Sequence, residues 1–191
     1  MNEPVYVTLL VINAFEILGI PYLIGGSFAS TSYGRVRTTR DVDIVASIEQ
    51  KHVDAFLKAL DHAFYADEEM IRQAISHRTS FNLIHQETVF KVDVFLPKKR
   101  PFDQQQFARR VKRVIDKDSA REVYFASAED TILAKLEWYR LGGEVSEQQW
   151  QDVQSIFQQR FDQLDIDYLK ELAESMQITD LLGQLLDESQ T

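Results

Sequence analysis

The chain has no cysteine, only four prolines and seven glycines in 191 residues, and no apolar run approaching the length of a membrane span. Without cysteine there are no disulfides and no thiolate metal sites, and a reducing, cytoplasmic setting is the one expected. The N-terminus lacks a basic region followed by an apolar stretch and a cleavage site, so no secretory leader and no membrane partner are expected. The four histidines (His52, His62, His77 and His85) lack zinc-ligand spacing. Surface or helix-edge positions are expected for them. Basic charge is also scarce: 21 Lys and Arg stand against 30 Asp and Glu, a net charge of −9. Non-specific nucleic-acid binding over the whole surface is therefore excluded, because it rests on neutralising phosphates. The cations that exist are clustered, with Arg35, Arg37 and Arg40 in one group, Lys98, Lys99 and Arg100 in a second, and Arg109, Arg110, Lys112 and Arg113 in a third. A polyanion could meet a local patch.

What is present is an ordinary apolar content of 45 %, enough for one core, or a core with a helical appendage. There is no internal repeat and no low-complexity segment. Leu9, Ile12, Phe15 and Leu18 recur at helical spacing over residues 5–18, and Gly19 with Pro21 ends that helix. A short strand follows at Tyr22–Ile24, then one or two helical turns opening at Ser27, then a strand from Asp41 to Val45. Helices are expected over 48–60 and 67–75, and a hairpin over 80–84 and 89–96. Residues 102–108 read as a short helix or an irregular segment, and 111–115 with 122–125 as a second hairpin. From Ser127, an N-cap followed by Glu129 and Asp130, the period is helical throughout. Helices are expected to Leu141, where Gly142 and Gly143 stop the first, and over 148–158, 165–175 and 179–186. The fold class is α/β (α+β): a small mixed sheet flanked by helices, residues 1–126, then a C-terminal helical region, 127–191, packed on it.

The stretch Tyr22–Val45 organises the rest. Asp41 and Asp43 lie in an apolar run, and on a strand they share one face about 6.7 Å apart. Aspartate is depleted in strands, and two acids side by side repel and resist desolvation unless a cation lies between them. A hard divalent ion takes one or two carboxylates and completes its shell with water and phosphate oxygens. Gly25, Gly26 and Ser27 supply a turn that lets backbone approach an anion at a helix start. Asp93, between Val92 and Val94, is a third acid inside an apolar run. The bland alternative makes Asp41 a turn cap, Asp43 a solvent-facing strand residue and the glycines a turn only.

Ile24-Gly25-Gly26-Ser27, thirteen intervening residues, and Asp41-Val42-Asp43-Ile44 together resemble the polymerase-β-type nucleotidyltransferase superfamily. The pattern is closest to small bacterial and archaeal members, including the abortive-infection toxin type. The resemblance implies three carboxylates, here Asp41, Asp43 and Asp93, holding Mg²⁺ (or Mn²⁺) for two-metal catalysis. Asp93 would also help to deprotonate the acceptor. Gly25, Gly26 and Ser27 would bind the phosphates of a nucleoside triphosphate such as ATP. Arg37, four residues before Asp41, would meet triphosphate oxygens or neutralise the acids from behind; Arg40 carries less weight. Ser127–Leu136 is similar to a helix of toxin-type enzymes in which a lysine, here Lys135, reaches the phosphates. The other reading pairs Lys135 with Asp152 or Glu129; on either, Lys135 is expected at the edge of the inward stripe of Ile132, Leu133 and Leu136.

The activity implied is transfer of a nucleoside monophosphate to a hydroxyl acceptor with pyrophosphate release. The acceptor classes are a tRNA end, a protein side chain and a small hydroxylated compound, and a toxin role would bring a cognate antitoxin protein. The rival readings are a non-catalytic nucleotide-binding or protein-interaction module on the same fold, and a purely structural acidic α/β protein.

Overall fold

A computed structural model describes residues 2–34, 41–116 and 118–188. Asn2 caps the first helix, α1 (Glu3–Ile17), its side chain accepting the Val5 N–H at 3.0 Å, with Pro4 in the first turn where no N–H is needed. Gly19, at φ +65°, turns the chain back into β1 (Tyr22–Ile24), whose three residues are all buried. Helix α2 (Gly26–Tyr33) follows, one residue earlier than Ser27 would have opened it, with Gly25 at its N-cap.

Next come β2 (Asp41–Ala46), α3 (Val53–Leu60), β3 (Phe64–Tyr65), α4 (Glu68–His77), β4 (Ser80–His85) and β5 (Lys91–Phe95). The helix expected over 48–60 is split, Gln50–His52 being a 3₁₀ turn. The two-residue β3 falls in a stretch where no strand was expected, too short to leave a period. After α5 (Pro101–Arg109), the hairpin β6 (Val111–Asp116) and β7 (Arg121–Phe125) leads to four helices: α6 (Ala128–Leu141), α7 (Glu147–Arg160), α8 (Ile166–Ser175) and α9 (Thr179–Glu188). None of the helices is long and apolar enough to cross a membrane, among the described residues.

The seven strands form one mixed sheet in the order β3-β4-β5-β2-β1-β7-β6. β1 runs antiparallel to β2 and parallel to β7, and β2 runs parallel to β5. Alternation sets the two faces of β2 and β5. Val42, Ile44, Ala46, Val92 and Val94 point into a core shared with α1, α3 and α4. There Phe15 and Phe56 stack at 5.0 Å, each fully buried ring contributing roughly 1.5–3 kcal/mol. The opposite face carries Asp41, Asp43, Lys91 and Asp93. A second apolar cluster joins Tyr33 and Phe102 to residues of α6–α9, among them Ile132, Leu136, Val153, Phe157 and Leu169. His85 is not at the surface as expected: it is buried, with its Nδ1 3.0 Å from the Thr88 hydroxyl and its ring edge-on to Phe64.

Candidate functional site

The parallel register of β2 and β5 sets Asp43 opposite Asp93 and Asp41 opposite Lys91. Three acids from two strands thus share one face. The same period places Lys91 among them, two residues before Asp93, and its ammonium lies 2.7 Å from Asp93 Oδ2 and 4.0 Å from Asp41 Oδ2. The hydrogen bond to Asp93 raises the lysine's pKa; desolvation opposes it, and the charges of Asp93, Asp41 and Asp43 add to the rise. As the side chains stand, no three Asp, Glu, His or Cys groups among the described residues converge tightly enough to grip a metal ion. The donors are nonetheless the hard oxygens that a divalent ion selects. Asp43 shows the electrostatic demand for one: burial first, then the charges of Asp41 and Asp93, push its pKa up to about 6, while Lys135 and Lys91 hold it down.

The glycine turn is built onto Asp43. The Gly25 N–H donates to the Asp43 carbonyl at 2.8 Å, tying the end of β1 to β2. Gly26 sits at φ +54°, and a Cβ there would lie 1.7 Å from Asp43 Oδ2. Only glycine permits both the backbone conformation and the approach. Gly25 caps α2 without a side-chain hydrogen bond, so the first turn of α2 opens beside the acid, where helix N–H groups have no intrahelical acceptor.

A cavity of about 340 Å³ brings Gly25, Gly26, Ser27, Asp43 and Lys135 together. Apolar walls come from Phe95, Phe102, Trp138 and Leu141, Phe95 and Trp138 meeting edge to face at 6.0 Å. The other carboxylates along it, Asp103, Asp130 and Glu137, are already engaged. Arg100 holds Asp103 at 2.7 Å and grips Glu137 with both terminal nitrogens. Asp130, pushed up by burial, accepts from Tyr168 (2.6 Å) and Ser127 (2.8 Å).

Lys135 is buried, only 4 % exposed, and donates to Asp152 at 2.9 Å and to Gln149 at 3.0 Å. The expected edge position is therefore an interior one, and of the two partners weighed for it Asp152 is present. Glu129 is occupied elsewhere, by Arg109 at 3.3 Å and the Asp165 N–H at 3.1 Å. Arg37 and Arg40 lie outside the described residues. The sequence reading overlooked Lys91 and Trp138. Lys91 was legible from the two-residue strand period. Trp138 could have been found from its place one helical turn after Lys135.

The family described as "Nucleotidyltransferase of unknown function (DUF6036)" matches residues 21–185, from the entry to β1 into α9. The chain belongs to that family. Its fold is that of the polymerase-β-type nucleotidyltransferase superfamily, as solved structures bear out. The crystal structure of ANT(2″)-Ia in complex with adenylyl-2″-tobramycin aligns with TM-score 0.61 and 12 % identity, covering 92 % of this chain and 98 % of that one. An antigenic nucleotidyltransferase-like protein from Paracoccidioides brasiliensis aligns with TM-score 0.54 and 20 % identity, covering 94 % and 91 %. At these identities the likeness is one of fold. No curated protein matches the sequence.

Proposed function

We propose that this protein moves a nucleoside monophosphate from a nucleoside triphosphate to a hydroxyl acceptor, releasing pyrophosphate. The observation that carries the reading is the placement of Asp43, opposite Asp93 and hard against the Gly26 turn. Asp41, Asp43 and Asp93 would hold Mg²⁺, or Mn²⁺ in its place. Bound there, the cation supplies charge neutralisation and polarises phosphate oxygens. The chain's own residues do the rest. The first turn of α2 and the Ser27 hydroxyl orient the phosphates, and Lys135 adds positive charge on the same cavity. Arg37 keeps its two roles from the sequence reading, a contact to the triphosphate or charge balance behind the acids. The base of the triphosphate packs against Phe95 and Trp138. The acceptor oxygen attacks the α-phosphorus, the bond to the β-phosphate oxygen breaks, and the proton leaves the acceptor toward Asp93. Lys91 balances charge between Asp93 and Asp41 throughout.

The helices from Ser127 onward form a region packed on the α/β core and close the cavity over it. The acceptor decides the biological role: an RNA end or a protein hydroxyl suits a cytoplasmic toxin held by an antitoxin protein, and a small hydroxylated compound suits detoxification. Titration calorimetry with ATP, GTP, CTP and UTP, with and without Mg²⁺, alongside a pyrophosphate assay, tests the reading. Metal-dependent binding with pyrophosphate release is expected. Metal-independent binding with no release would instead mark a nucleotide-binding module.

A further inference from the structure

Among the described residues, five of the nine arginines lie against acids. Arg72, Arg100, Arg109, Arg121 and Arg140 each contact a carboxylate. Arg110, Lys112, Arg113 and Arg160 form no ion pair among the described residues, although acids outnumber bases 30 to 21 in the sequence. Three of these cations gather at one place. Lys112, Arg113 and Arg160 line a groove of about 650 Å³ between the edge strand β6 and the end of α7, with Tyr33 in its wall. Arg113 lies 4.3 Å from the Tyr33 ring centre and donates to the Ser32 carbonyl at 2.9 Å, and Arg160 is 5.9 Å from the same ring. Arg110 and Lys112 sit 4.5 and 5.5 Å from the ring of Tyr124, which faces Lys112 across the hairpin. Among the described residues, the buried Nε groups of Arg110 and Arg160 have no acceptor, and an orphan donor of that kind is costly until an acceptor arrives.

We propose that this groove binds the sugar–phosphate backbone of single-stranded RNA, and that this RNA is the acceptor. The second half rests on the transferase reading above; the binding does not. A guanidinium laid flat on a tyrosine is fixed in orientation and still offers N–H edges to phosphate oxygens. Cations interleaved with rings are how proteins hold single strands. An acidic peptide fits less well, because the exposed Glu122 carboxylate also lines the groove. That group repels side-chain carboxylates yet accepts from a ribose 2′-hydroxyl or a base amino group. The net charge of −9 works against a polyanion over the surface as a whole, so a local cluster of cations has to hold it. Tyr33 ends the eight-residue helix whose first turn abuts Asp43, so the groove and the acids are about 12 Å apart along that helix. A few nucleotides span that distance and carry a terminal hydroxyl to the acids.

The test is fluorescence anisotropy of a labelled single-stranded RNA 20-mer with the full chain in EDTA, without nucleotide, over a series of KCl concentrations. Binding should weaken with salt, and Lys112→Ala/Arg113→Ala/Arg160→Ala should lose ~10-fold or more in affinity. Its log–log salt slope should shrink by about 0.7 for each phosphate contact removed. Arg113 also covers Tyr33, so Lys112→Glu/Arg160→Gln, which spares it, should show the same loss at an unchanged melting temperature. Arg72→Ala and Arg121→Ala should bind as wild type. Absent binding at low salt, binding indifferent to both groove variants, or tighter groove-dependent binding of a labelled poly-glutamate peptide would each overturn the proposal. Pyrophosphate release without extension of the bound RNA would overturn the acceptor half alone. Groove-dependent binding with no pyrophosphate release from any acceptor would instead count against the transferase reading.

Discussion

Gly26 and Asp43 are in closer apposition than any side chain at position 26 would permit: a Cβ there would lie 1.7 Å from Oδ2 and 2.6 Å from Cγ of the acid. The glycine turn and the strand that carries Asp43 are thus one structural unit, and a substitution in either is felt by the other.

Gly26→Ala tests that unit. The variant faces the left-handed backbone at φ +54°, worth about 1 kcal/mol, and the carboxylate besides. A melting temperature several degrees lower and a loss of nucleotide affinity are expected. Ser27→Ala, which removes one hydroxyl, should weaken affinity only modestly. In a double-mutant cycle, Asp43→Ala should recover part of the stability lost in Gly26→Ala, because it removes the atoms in conflict. Strict additivity would show that the clash is relieved elsewhere.

Asp43→Asn should abolish transfer and stabilise the metal-free fold. The carboxyl titrates near 6 in the fold against 3.8 when free, so between those values the folded chain binds more protons than the unfolded one. Its contribution to stability therefore falls as pH rises from about 4 to about 6, and the loss is complete above that. In EDTA the variant's advantage should grow across that window and then level off at about 3 kcal/mol. Added Mg²⁺ should narrow the gap by stabilising the wild type. Melting curves from pH 4 to 8 decide it, and an advantage that is flat with pH would remove the charge argument.

What the sequence made legible was whatever a short period can carry. Alternation in two apolar runs put Asp41, Asp43 and Asp93 on strand faces, and caps such as Ser127 and stops such as Gly142 set helix bounds within a residue or two. Which strands lie side by side is not a local property. That β2 pairs with β5 in parallel, making Asp43 and Asp93 neighbours, depends on a crossover carrying α3 and α4. The Gly26–Asp43 contact likewise belongs to chain crossing, and neither residue type announces it. The interior position of Lys135 is set by α7 packing on α6, so its helix alone suggested an edge.

Lys91→Met should tighten divalent-ion binding. The ammonium lies 2.7 Å from Asp93 Oδ2 and thus competes with a cation for that oxygen. Removing it leaves three acids with less compensation, which raises the demand for metal charge. Calorimetric titration with Mn²⁺ should show a severalfold lower Kd, with turnover slowed if Lys91 also balances the phosphates. Weaker ion binding in the variant would mean that the lysine organises the acids instead of competing for them.

Lys135 offers the sharpest separation of stability from function. Lys135 and Asp152 are only 4 % and 7 % exposed, and removing one partner of a buried pair leaves the other charge unpaired, a loss of about 3–5 kcal/mol. Lys135→Met should thus melt far lower than an exposed pair would imply, and Asp152→Asn should be destabilised too, less so because its amide still accepts a hydrogen bond. Replacing both, as Lys135→Met/Asp152→Leu, swaps the pair for apolar contact and should restore most of the stability. Nucleotide affinity should not return with it, because Lys135 lines the cavity beside Gly26 and Asp43 and its charge is one of those holding the Asp43 pKa down. Melting temperature and triphosphate Kd measured on all three variants resolve the two roles. If the double variant binds triphosphate as the wild type does, Lys135 is a structural residue and leaves the site.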